Sequence, residues 1–195
     1  MARIRTLSED HANEAQRALI EQTKKEYGVF TGIRQVLLAD PNVAMPVKQL
    51  VQYLSLRKDS PFTRLQLELI GTLVYGLISQ QACSCLGIHS EAVRRLTQNP
   101  SFGPDFAFTW RNYGTDPKTQ ALLAFAEKLT TTPGQMEDAD IEALRAAGWD
   151  EQAIYEVTAL IGLYNCTGRM EAAAGLPPDR FPPDAQFPEA MPDGH

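Results

Sequence analysis

The chain has 195 residues, enough for one sizeable core, and its 44% hydrophobic content is that of an ordinary globular protein. Acidic side chains outnumber basic ones 24 to 18, for a net charge of -6, and lysine and arginine form no basic stripe, which argues against a nucleic-acid partner. Met1-Ala2-Arg3-Ile4-Arg5 leads into a polar segment, and nowhere do about 18 uncharged apolar residues run together, so a cytoplasmic protein without membrane contact is expected.

Ser8 to Tyr27 is rich in Ala, Glu, Gln and Lys with Leu19 and Ile20 as its few large apolar residues, a peripheral, weakly amphipathic helix ended by Gly28. Gly32 to Ala39 predicts a short helix through Ile33, Val36 and Leu37, broken by Pro41, and Val43 to Leu56 resumes with Val47, Leu50, Val51 and Leu54. Ser60-Pro61 reads as an N-cap with proline in the first turn. The helix beyond it, through Leu65, Leu67, Leu69, Ile70, Leu73, Val74, Leu77 and Ile78, is apolar nearly all round and belongs in the core. Ser79-Gln80-Gln81 interrupts it, and a new helix carries Cys85, His89, Val93 and Leu96 until Asn99-Pro100.

An aromatic segment follows, Phe106, Phe108, Trp110 and Tyr113. Asp116-Pro117 then caps a helix running through Leu122, Leu123, Phe125, Ala126 and Leu129 to Thr130. After the polar turn Thr131-Thr132-Pro133-Gly134, Asp140 to Ala147 predicts a helix closed by Gly148. Asp150 caps a last long one with Ile154, Val157, Leu160, Ile161 and Tyr164. No segment alternates with period two, so the fold predicted is all-α with eight or nine helices. Residues 1–175 form one helical domain in this reading. Residues 176–195, with six prolines, form an extended tail that Phe181 and Phe187 would dock on a neighbouring surface.

Three cysteines, two of them close together, do not form a secreted disulfide framework and point to chemistry. On a helix, Cys85 and His89 stand four residues apart on one face, where the ring can reach the sulfur and take its proton. A thiol at a positive helix end has a pKa of roughly 3.5 to 7.5 in place of about 8.5. The competing reading is a buried thiol beside a core histidine. Cys83, Cys85 and His89 supply only three soft ligands in diverging directions, so no metal is expected. Cys166 is expected to pack between helices. Glu68, on an apolar helix, needs a partner, which Arg169 or Arg145 could supply as a structural ion pair. Asn165 and Arg169 would satisfy helix ends and buried carboxylates, and His11 and His195 would be solvated.

The segment from Leu67-Glu68-Leu69-Ile70 through His89 resembles the alkylhydroperoxidase D-like and carboxymuconolactone decarboxylase superfamily, in which a Glu-bearing helix leads into Cys-x-x-Cys-x-x-x-His. Further blocks resemble its peroxidase-related branch: Ala121 to Thr130, Pro133-Gly134, Leu144 to Gly148, Ala153-Ile154 and Tyr164-Asn165, with Arg169 and Gly175. Together they span about residues 25 to 176. The resemblance implies an all-helical homo-oligomer without cofactor that reduces a small-molecule peroxide with electrons from a thiol donor. By it, Cys85 would be the peroxidatic thiol, His89 its base and Glu68 a proton relay through His89. Glu68 stands 17 residues before Cys85, about two more than in the family. The residue three before Cys85 is Ala82, where the family has its first cysteine, and Cys83 comes one place later. Residues two apart on a helix differ by about 200° in direction, so a Cys83–Cys85 bridge would need non-helical backbone, and otherwise an external thiol must resolve Cys85. A decarboxylase-like lyase using His89, or a non-catalytic redox-sensing oligomer on the same scaffold, are the alternatives.

Overall fold

Caps written into the sequence set most of the helix boundaries. The computed structural model of the chain describes residues 2–79 and 83–179. Among the described residues are nine α-helices and no strand: α1 Glu14–Tyr27, α2 Gly32–Leu37, α3 Pro41–Val51, α4 Arg64–Ser79, α5 Ser84–Thr97, α6 Phe106–Thr109, α7 Pro117–Thr131, α8 Asp138–Ala146 and α9 Glu151–Ala174. The all-α expectation therefore holds. Ala82, most of the proline-rich tail with Phe181 and Phe187, and His195 lie outside the described residues.

Asp116 and Asp150 cap α7 and α9 as anticipated, accepting the Thr119 and Ala153 N–H groups at 3.0 and 2.8 Å. Gly28, Gly148 and Gly175 end helices with positive φ of 73°, 87° and 62°, a conformation that costs glycine nothing. Two boundaries differ from expectation. Pro41 opens α3 as its first residue under an Asp40 cap instead of breaking a helix, because the first turn has no use for that N–H. Helix α4 starts at Arg64, past Ser60-Pro61. Thr63 and Gln66 form a reciprocal cap, with Gln66 N–H to Thr63 Oγ1 at 3.2 Å and Thr63 N–H to Gln66 Oε1 at 2.9 Å. Two satisfied donors outweigh the single one, Phe62 N–H, that Ser60 accepts.

Helix α4 is the axis of the molecule. Every residue from Leu67 to Gly76 is buried, and α5, α6, α7 and α9 all pack against it. Leu69, Ile70, Leu73 and Val74 are completely enclosed, each contributing about 1.5–3 kcal/mol of transfer free energy. Gly76 lets α6 come close: a Cβ there would lie 2.5 Å from that of Ala107. The α1 helix is peripheral, held by a small separate cluster of Leu7, Ala12, Ile20 and Phe30. No helix among the described residues is long and apolar enough to cross a membrane.

Candidate active site

The connection from α4 delivers Cys83 as the N-cap of α5, with extended backbone (φ -133°, ψ 155°) and its sulfur accepting the Leu86 N–H at 3.3 Å. Ser84 and Cys85 follow in the first turn. Their N–H groups would be orphans, but a carboxylate from the far end of the chain meets them. Glu171 Oε1 accepts Ser84 N–H at 3.1 Å and also the Ser84 hydroxyl, and Oε2 accepts Cys85 N–H at 3.2 Å. The Ser84 oxygen in turn accepts Ile33 N–H at 2.9 Å, tying α2 to the same point. Asp179, just beyond α9, accepts Gly32 N–H at 3.0 Å and closes the cluster.

This arrangement reverses one expectation. The positive end of α5 was to stabilise a thiolate, yet Glu171 occupies it with negative charge. Burial, then the Glu171 charge, then Cys83 push the Cys85 thiol well above its ordinary range. Cys83 is pushed up to about 12 by burial and then by Glu171. Both thiols are free and buried.

On α4, Glu68, Gly71 and Tyr75 recur at i, i+3 and i+7 and so share the face turned to α5. His89 fits against that face. Its Nδ1 lies 2.6 Å from Glu68 Oε2, and Glu68 Oε1 lies 2.5 Å from the Arg64 guanidinium one turn earlier. The carboxylate draws the ring proton to Nδ1 and leaves Nε2 as the basic nitrogen. Gly71 makes the room, since a Cβ there would stand 2.5 Å from Nδ1. The ring stacks on Tyr75, with centroids 5.3 Å apart and planes 17° off parallel, and meets Tyr164 at 5.2 Å. Tyr75 then reaches Cys85: its hydroxyl hydrogen-bonds the sulfur as well as Thr167 Oγ1, the latter at 2.8 Å. Burial and then the neighbouring Cys85 push the Tyr75 hydroxyl well above the usual phenol range, so it stays a donor. Tyr164, raised mainly by burial, hydrogen-bonds Ser55 Oγ at 3.2 Å.

The structure thus brings Cys83, Cys85, His89 and Glu68 into one buried neighbourhood. The partners proposed for Glu68 are replaced. Arg145 is engaged by Glu142 and Glu151 at the surface, and Arg169 by Asn165. Proximity on α4 decides it, because Arg64 is one turn away. Cys166 is exposed on α9 instead of packing between helices. Among the described residues no group of His, Cys, Asp and Glu has metal-binding geometry. Tyr75, Tyr164, Ser84 and Glu171 were not singled out from the sequence. For Glu171 there was a signal: it extends the buried α9 stripe Val157, Leu160, Ile161, Tyr164, Thr167, Gly168, and a carboxylate on an apolar stripe needs a reason.

No family model matches the sequence. A curated relative, the uncharacterized protein YnjA of Escherichia coli (strain K12), is 42% identical over 55 residues, which span 28% of this chain and 30% of YnjA. The matched stretch therefore covers under a third of that relative's length. Solved structures extend the likeness to the whole helical body, and they define its class as the alkylhydroperoxidase D-like fold. An uncharacterized peroxidase-related protein of Silicibacter sp. TM1040 superposes with a TM-score of 0.75 at 23% identity, over 89% of this chain and 92% of its own. The alkylhydroperoxidase core of an uncharacterized peroxidase-related protein from Ralstonia eutropha JMP134 gives 0.76 at 20% identity, over 91% and 92%. The debrominase Bmp8, as its C82A variant in complex with 2,3,4-tribromopyrrole, gives 0.63 at 17% identity, over 88% and 89%. At these identities the likeness establishes the fold, and the resemblance noted in the cysteine segment is borne out at that level.

Proposed function

We propose that the chain is a thiol-dependent, peroxidase-like oxidoreductase acting on hydrogen peroxide or a small alkyl hydroperoxide, with Cys85 as the reacting thiol. The observation that carries this reading is the buried relay from Arg64 through Glu68 and His89 to Tyr75, whose hydroxyl ends on the Cys85 sulfur. A bland core cysteine has no need of an ion-paired histidine stacked on the tyrosine that touches it. The peroxidase-related fold neighbours support the reading, and the debrominase among them is a reminder that this scaffold hosts other chemistry.

In the reaction the Cys85 sulfur attacks the terminal peroxide oxygen. The S–O bond forms, the O–O bond breaks, and the alkoxide leaves with its electron pair. His89, held by Glu68 and working beside Tyr75, supplies the proton that turns alkoxide into alcohol. Sulfur has lost two electrons and stands as a sulfenic acid. A thiol then displaces hydroxide from it to give a disulfide and water, and a second thiol equivalent restores Cys85. Cys83 is the internal candidate for the displacing thiol. Its extended backbone at the N-cap supplies the non-helical geometry that a Cys-x-Cys bridge requires, although its sulfur would have to give up the Leu86 N–H. Exposed Val43, Met45, Leu50 and Tyr53 on and just after α3 support the proposal that copies of the chain associate, to be checked by sedimentation at micromolar concentration.

The test is peroxide consumption with dithiothreitol as donor by the protein and its Cys85→Ser variant. Loss of consumption in the variant supports the reading. Activity on a lactone that survives Cys85→Ser would favour the lyase alternative, which uses His89 alone.

A further inference from the structure

The relay through His89 leaves one carboxylate at the thiols unexplained. We propose that Glu171 is a catalytic residue of this site, the group that accepts the Cys85 thiol proton as the sulfur attacks. The assignment rests on the peroxidase reading for its natural reaction, while the proton transfer itself can be tested with any soft electrophile.

Two side chains hydrogen-bond the Cys85 sulfur from outside its own helix, Tyr75 and Glu171. Their roles are complementary. Tyr75 donates to sulfur, and Glu171 can only receive. The carboxylate is fixed for this by three donors, Ser84 N–H, Cys85 N–H and the Ser84 hydroxyl, and the Cys83 thiol touches it as well. The side chain that sequence spacing nominated as base is occupied differently, since His89 spends Nδ1 on Glu68 and its face on Tyr75. A purely structural cap would not call for Glu171. Cys83 already caps α5, and a neutral acceptor would serve the remaining N–H groups without burying an ion at 5% exposure.

The two carboxylates then divide the protons. Glu171 takes the thiol proton while the S–O bond forms and the O–O bond breaks, and the Glu68–His89 pair protonates the departing alkoxide. When the donor thiolate later attacks the sulfenic acid, Glu171 returns its proton to the expelled hydroxide, so that water leaves and the carboxylate is regenerated.

The experiment measures the rate of Cys85 alkylation by iodoacetamide, which forms an S–C bond and releases iodide, in a Cys166→Ser background with the adduct located by mass spectrometry. Titratable groups facing the thiols are Cys83 at the α5 N-cap, Tyr75, Glu68 and His89 across from α4 and α5, Tyr164 on α9, and Asp179 beyond it. Asp179 ionises at about 6, so rates are read above that. With an internal acceptor the wild-type rate is nearly flat from about pH 7 to 9, because each thiol already has its base. In Glu171→Gln the rate follows free thiolate and climbs tenfold per pH unit, and Glu171→Asp restores the flat profile. A wild-type rate that itself climbs tenfold per unit, or a Glu171→Gln profile as flat as wild type, overturns the assignment. Should Glu171→Gln fail to fold by circular dichroism, the wild-type slope decides alone. Failure to consume peroxide with a flat alkylation profile would refute the peroxidase reading and leave Glu171 as the thiol base.

Discussion

Replacing Gly71 by alanine sets helix propensity against site geometry. In an open helix the exchange stabilises by about 1 kcal/mol. Here the new methyl would stand 2.5, 2.6 and 2.7 Å from Nδ1, Cγ and Cε1 of His89. Ordinary contact distance requires the ring to retreat by about 1 Å. That retreat breaks the 2.6 Å bond to Glu68, worth about 1.5–3 kcal/mol for a bond to a charged group. It also forces the ring against Tyr75 and Tyr164, which stand 5.3 and 5.2 Å from it, at an overpacking cost of about 1–3 kcal/mol. The net expectation is a loss of about 2–4 kcal/mol, measured as a lower urea midpoint with unchanged m-value. A misplacement of this size at a proton relay also lowers peroxide turnover, by about a hundredfold. A Gly71→Ala protein as stable as wild type, or more so, would show that the ring does not occupy the space α4 leaves for it.

Arg57 is the partner of buried Glu156 at 2.5 Å; Arg57→Ala strands that carboxylate and lowers stability by about 3–5 kcal/mol in denaturant titration, whereas an unchanged midpoint would make the pair dispensable. Asp179 is pushed from 3.8 up to about 6 by burial, with the Glu171 charge adding to it. The unfolded chain therefore loses this proton first as pH rises, so the contribution is present below 3.8 and lost as pH climbs through about 6. Thermal scans across that window should show Asp179→Asn gaining on wild type as pH rises, and parallel curves would contradict the placement. Native Cys83, pushed up to about 12, should resist iodoacetamide at pH 8 and react on unfolding.

What could be read from the sequence was what is local. Asp116-Pro117, Asp150 and Gly148 announce helix ends because caps act within four residues. The spacing of Cys85 and His89 on one helix is likewise local, and Glu68 could be reached through the family pattern. Tyr75 and Tyr164 looked like core aromatics, since only the crossing of α4, α5 and α9 reveals that they enclose the His89 ring. The Cys85 thiol was misjudged for the same reason. A helix N-terminus lowers a thiol pKa only while it is vacant, and the carboxylate that fills it comes from 86 residues downstream. The start of α4 was misplaced by taking the first plausible cap, Ser60, over the stronger reciprocal one at Thr63 and Gln66.

The central claim is that Cys85 is the thiol that reduces peroxide. Its most direct test is mass spectrometry of the Cys166→Ser protein after one equivalent of hydrogen peroxide, with dimedone present to trap sulfenic acid. The account predicts a single oxidation at Cys85, as the dimedone adduct or as a bridge to Cys83, reversed in the latter case by dithiothreitol. An unmodified Cys85 in a folded protein would contradict it.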